Sequence, residues 1–174
     1  MVLLAIALAV AQDGSVAPLL PLFRSEGEAL AFSTSFGPEW YNPHPVKLSP
    51  STTLFGFKMK LFEYRMDEGH AYVGIGTDPA GKIGLYDVRF PTVGTNCVVP
   101  DTKAMARTLL EKFEPEYASD TRNINRVAST ANLVWPYTAF HSSPRAVVGQ
   151  TVFTSFKMNG FCRVRVVRRS SATT

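Results

Sequence analysis

The sequence predicts a mainly β protein, an antiparallel β-sandwich or barrel, and three observations carry that expectation. The closing stretch Thr151–Arg169 holds two runs of β-branched and aromatic residues around Asn159-Gly160. That dipeptide suits a two-residue type I′ turn, because both central positions need φ > 0. Short apolar runs of strand length, about six to eight in all, recur along the chain between Pro, Gly and Asn punctuation. Only one segment has clear helical spacing, so helices do not alternate with strands as βαβ units require. The same pattern allows an α+β sheet with the helix on one face as the alternative architecture.

Met1–Ala11 is apolar throughout and stops at Gln12-Asp13-Gly14. It is too short to cross a bilayer, which takes roughly 20 residues, so no transmembrane span is expected. Ala9-Val10-Ala11 has the small-x-small form of a signal-peptide cleavage site. Yet no Lys or Arg precedes the apolar run, and the segment falls short of the roughly 15–30 residues of a signal peptide. Residues 1–14 are read as an apolar N-terminal segment, buried or signal-like. Residues 15–174 are read as a single β-rich domain, long enough to close a real core.

Ser15–Gly27 carries Pro18 and Pro21 and reads as extended. Glu28–Phe36 alternates loosely through Leu30, Phe32 and Phe36 and reads as a first strand. Gly37–Pro50 reads as an ordered connection rich in proline. Thr53–Met66 sets Phe55, Phe57, Met59 and Leu61 on one face and Lys58, Lys60 and Tyr64 on the other. Asp67-Glu68-Gly69 reads as a turn, and Ala71–Gly76 and Lys82–Phe90 form a hairpin over Thr77-Asp78-Pro79-Ala80-Gly81. Asp101 or Thr102 caps the one amphipathic helix, with Met105, Leu109, Leu110 and Phe113 on a single face and Pro115 at its end. Tyr117–Ser129 reads as a second short helix or a long loop, and Ala131–Tyr137 as a strand. In the last strand Cys162, Val164 and Val166 point one way while Arg163 and Arg165 point the other. The basic side is expected to run on into Arg168 and Arg169.

No catalytic or metal-binding motif stands out. Gly76–Lys82 fits G-x-x-x-x-G-K, but Ile83 follows where a phosphate loop needs Ser or Thr, and the next residues read as a strand. A hairpin turn accounts for it better. His44, His70 and His141 have no metal-ligand spacing, and no nucleophile elbow surrounds Ser142-Ser143. Asp67 and Glu68 read as a turn, and Glu111, Glu114 and Glu116 as a solvated helix face. The sequence therefore predicts no catalytic residue, no metal ligand and no cofactor.

With 45% hydrophobic and 18% charged residues the chain is ordinary globular protein, and its net charge of +4 is mildly basic. Such a balance permits nucleic acid, an anionic membrane or an acidic protein as partner. The candidate contact surface is a basic face of Arg163, Arg165, Arg168 and Arg169, joined by Lys58 and Lys60. Subunit contact or nucleic acid would be its use. The two cysteines, Cys97 and Cys162, are too few for a structural zinc site. Cys162 lies on the apolar side of its strand, so a buried free thiol is expected, with a Cys97–Cys162 disulfide as the alternative in an oxidising compartment.

The final segment, KMNGFCRVRVVRRSSATT, resembles the last strand and short tail of the jelly-roll coat proteins of picorna-like viruses. In those proteins an apolar residue and Cys precede an alternating Arg/Val strand and a Ser/Thr-rich end. The resemblance implies a jelly-roll β-sandwich that builds a shell with other protein subunits and has no active site. Taken with the apolar N-terminus and the two cysteines, the sequence leaves two expectations. One is a non-enzymatic structural subunit of a virion or other large assembly. The other is a secreted or lumenal β-rich binding module with a short signal-like N-terminus.

Overall fold

The chain is seen in a computed structural model that describes residues 19–36, 44–46, 53–54, 56–66, 69–93, 96–97, 102–132, 145–158 and 161–169. Its elements in chain order are β1 (Leu19–Leu20), α1 (Glu26–Ser33), β2 (His44–Val46), β3 (Thr53–Leu54), β4 (Phe57–Met66), β5 (Gly69–Thr77) and β6 (Ile83–Val93). After these come β7 (Asn96–Cys97), α2 (Thr102–Phe113), α3 (Thr121–Asn132), β8 (Arg145–Val148), β9 (Thr151–Met158) and β10 (Phe161–Arg169). The apolar segment Met1–Ala11, the Asn159-Gly160 turn, His141 and Ser142-Ser143 lie outside the described residues.

The protein is mainly antiparallel β. Its strands join in one open sheet of order β2-β4-β5-β6-β10-β9-β8, with β1 paired to β10, β3 to β4 and β7 to β6. Two local sets, β4-β5-β6 and β8-β9-β10, meet at β6 and β10, where the register runs from Phe161↔Pro91 to Val167↔Leu85. Both halves come from period-two runs closed by short turns. The turn between β5 and β6 is built by Asp78: its carboxylate accepts the Lys82 N–H at 2.8 Å, and its own N–H donates to the Lys82 carbonyl at 2.9 Å. Gly81 takes the positive φ of 82° that the turn demands. Gly76–Lys82 is thus the end of β5 and the turn that leads into β6.

One face of the sheet carries Phe62, Tyr64, Val73, Ile75, Tyr86, Val88, Phe90, Phe153, Val164 and Val166, and these form a single core with side chains of the helices. From α2 come Met105, Leu109, Leu110 and Phe113, at the spacing read from the sequence; from α3 come Ile124, Val127 and Ala128. α3 lies on β8, β9 and β10, α2 lies on α3, and α1 on β5. Helices therefore occupy the layer that a second sheet would take in a sandwich, and no second stacked sheet is among the described residues.

Several expectations need correction. Among the described residues there are three α-helices, where the sequence predicts one outright and allows Tyr117–Ser129 as a short helix or a loop. Glu28–Phe36, read as a strand, is most of α1 and a following 3₁₀ turn. Ser25 caps α1 by accepting the Glu28 N–H at 3.1 Å, while the Glu28 carboxylate accepts the Arg24 N–H at 2.8 Å. That Ser-x-x-Glu pair was visible in the sequence and outweighs the loose alternation. Its fully buried residues are Ala29 and Ser33, four apart, and Leu30 and Phe32 pack partly buried against the core. α3 runs through the polar stretch to Asn132, so Ala131 is helical rather than the start of a strand; residues 133–137 lie outside the description. Asp120 opens α3 by accepting the Arg122 N–H at 2.8 Å.

Glu114, expected on a solvated helix face, is buried. It accepts the Gln150 N–H at 3.1 Å and the Thr151 hydroxyl at 2.7 Å, tying the end of α2 to the β8–β9 turn. Gly149 at that turn has φ 54°, and a Cβ there would collide with the Glu114 carboxylate. Only glycine fits both demands.

Candidate functional site

The face of the sheet turned away from the helices is where the charged residues gather, and the strand register lays it out in rows. The first row is Met59, Gly76, Leu85, Val167, Val152 and Val147. The second is Leu61, Gly74, Asp87, Arg165, Thr154 and Arg145, and the third holds Glu63, Tyr72, Arg89 and Arg163.

These rows divide the six basic residues singled out in the sequence. Arg163, Arg165 and Arg169 are on this face by strand alternation. Lys58 and Lys60 share the opposite face with Phe62 and Tyr64, and Lys60 reaches Glu26 of α1 at 2.6 Å. Arg168 also belongs to the helix side, where its Nε lies 3.6 Å from Glu114. The expected continuous basic face does not form. Its physical reason is the parity of a strand: Arg168 follows Val167, which already faces away from the helices, and Lys58 alternates with Phe57 and Met59.

Arg163 is not a surface residue either. Asp87, fully buried, ties it down: the Arg163 Nε donates to Asp87 Oδ1 at 3.3 Å and a terminal guanidinium nitrogen contacts Oδ2. Arg89 donates to the same carboxylate at 3.2 Å through Nε and 3.1 Å through a terminal nitrogen. Arg89 and Arg163 stand directly opposite each other across β6 and β10, an arrangement of like charges that repels unless an anion bridges it. Asp87 is that bridge, and the chain's sequence gave no sign of it because Asp87 and Arg163 are far apart in the chain. Burial pulls the Arg89 and Arg165 guanidiniums below their usual pKa and Asp87 opposes the fall; both remain cations at neutral pH.

The accessible part of this face lies at the β8–β9–β10 end. Val147 is 46% exposed, Val152 and Val167 are half-buried, and the three form a row across three strands. Arg165 and Arg145 flank the row with Thr154 between them, and exposed Arg169 closes its other side. Residues 139–149 read from the sequence as a connection, so Arg145 and Val147 were not expected on a strand. Their e-B-e-B burial pattern over Arg145–Val148 is a strand signature that four residues are too few to announce.

At the other end of the face His70 Nδ1 lies 2.7 Å from Glu63, and the Tyr72 ring meets Phe161 edge-on at 5.3 Å. Among the described residues no group of three or more His, Cys, Asp or Glu is placed to hold a metal ion, and no helix is long and apolar enough to cross a membrane. Cys162 is buried and disulfide-bonded rather than a free thiol. The chain has one other cysteine, Cys97. The backbone register sets Cys162 opposite Phe90 and Cys97 opposite Thr92, two residues along the same strand. No protein-family model matches the sequence, and neither characterised proteins nor solved structures show significant similarity to it.

Proposed function

We propose that this protein is a non-catalytic binding module working in an oxidising compartment, secreted or lumenal, and that it binds an acidic protein surface. The observation that carries the reading is the exposed valine row Val147, Val152 and Val167 with Arg145, Arg165 and Arg169 around it. Apolar side chains supply contact area that water leaves on binding, and a cationic rim selects a partner of opposite charge and speeds encounter. The disulfide at Cys162 supports the compartment, since such bonds persist outside reducing cytosol.

The test is retention of the full-length, oxidised protein on immobilised poly-L-glutamate. Arg145→Glu combined with Arg169→Glu should lower the salt needed for elution, and Lys58→Glu combined with Lys60→Glu, the same change of charge on the opposite face, should change it far less. Equal losses from the two double variants would show that net charge alone is at work and would sink the proposal.

A structural subunit of a larger assembly, a virion coat with a jelly-roll fold in its most specific form, is the second reading. β8 favours the subunit role: among the described residues it is the last strand on its side of the sheet, and an edge strand offers backbone groups for pairing with another chain. Light scattering distinguishes the two. A large defined particle favours the subunit, whereas a monomer favours the binding module.

A further inference from the structure

A groove of about 420 Å³ opens between residues 21–24, Glu28 and residues 81–83, remote in role from the valine row. Its size is within the roughly 300–1,000 Å³ of small-molecule sites. The floor is apolar: Leu22, Phe23 and Ile83 are all buried. The two walls are fastened to each other, because the Leu22 N–H donates to the Ile83 carbonyl at 2.8 Å and Phe23 bridges to Ile83. A ligand therefore meets a preformed cleft and does not have to order it.

The rim is cationic. Arg24 and Lys82 are exposed, and neither side chain enters an ion pair with another described residue. Two carboxylates stand nearby. Glu28 is neutralised by Lys112, whose ammonium lies 2.7 Å from it and sits over the Phe23 ring. Asp78 accepts the Lys82 backbone N–H in the turn. With Glu28 balanced by Lys112, the two cations Arg24 and Lys82 face the single charge of Asp78. The local surplus is one positive charge, which a monoanion cancels.

We infer that this groove binds a small monoanionic amphiphile, a carboxylate with a short apolar tail, with the tail on Leu22 and Ile83 and the carboxylate between Arg24 and Lys82. The guanidinium and ammonium bring charge-assisted donors to the anion while the buried floor takes up the chain. The inference is independent of the protein-binding surface and stands or falls without it.

Isothermal titration of the full-length protein with sodium octanoate tests it, with 1-octanol as the uncharged comparison. One octanoate should bind per chain, and 1-octanol should bind at least about tenfold more weakly, the loss expected for one charge-assisted contact. Lys82→Gln and Arg24→Gln should each weaken octanoate by a similar factor, and Lys82→Arg should restore most of it. Both positions are exposed, so an unchanged melting temperature is expected for each variant. Val147→Asp should leave octanoate binding intact. No binding at millimolar octanoate, equal binding of octanol, or binding indifferent to Arg24 and Lys82 would each overturn the inference.

Discussion

The two faces of the sheet are built on opposite principles. Toward the helices, alternate residues of six strands are apolar and almost fully excluded from water, and α2 and α3 complete the layer. Away from the helices, the same strands place two glycines, a fully buried aspartate, a set of arginines and a valine row. Gly74 and Gly76 are part of that design, since a Cβ on Gly76 would come within 2.9 Å of both Leu85 and Met59. The glycines let Met59 lie across β5. One face holds the fold by burial, and the other gathers charged side chains beside a half-exposed valine row. The difference teaches that hydrophobic periodicity identifies the first kind of surface while leaving the second almost unmarked.

The sharpest way to break this comparison is to truncate one side chain on each face. Phe153 is fully buried against the helices, so Phe153→Ala should destabilise by about 3–5 kcal/mol in denaturant unfolding. Val147→Ala on the exposed row should stay within about 0.5 kcal/mol. Similar losses at both sites would mean that the second face is core as well.

Asp87→Ala probes the open face at its most deeply buried charge among the described residues. Removing the carboxylate leaves Arg89 and Arg163 facing each other without their bridge, at a cost of about 3–5 kcal/mol. Replacing Asp87, Arg89 and Arg163 together by apolar residues of similar size should recover most of that stability. A recovered fold would show that the charge network serves specificity rather than stability; no recovery would assign it to the framework.

The smallest effect belongs to the exposed margin of the helix side. The Lys112 hydrogen bond, with help from the Arg24 N–H, holds the Glu28 carboxyl below its ordinary pKa of 4.5. Because the folded value is the lower one, this contribution is complete above the unfolded pKa and fades as pH falls through the folded value. Solvent screening keeps it to about 0.5 kcal/mol or less. Comparing Glu28→Gln with the parent should therefore show a small stability gap at pH 7 that closes toward pH 3. A gap constant across that range would assign the effect to packing.

The strands β4, β5, β6, β9 and β10 and the helix α2 were legible in the chain, because each repeats a pattern for many residues and closes with recognisable turn or cap chemistry. Alternation and helical spacing are local properties, so a short window suffices to read them. α1 was misread because Leu30, Phe32 and Phe36 imitate alternation, although Ser25 and Glu28 marked its start. α3 was left open because its surface is polar and its buried face is narrow, with Ile124, Val127 and Ala128 buried among the side chains described.

Local pattern thus determined which residues form most of the strands, which turns join them and which side chains of one strand share a face. Tertiary structure alone decided that helices back the sheet, that β6 joins β10, and that Asp87 meets Arg163 across the join. It also decided that Lys58 and Lys60 look away from Arg163 and Arg165, whereas alternation within β10 alone sets Arg168 opposite them. Those facts depend on the registry between strands distant in sequence and on which face the helices cover. Burial of one whole face selects that arrangement, and a single strand carries no record of which neighbour will share its charge.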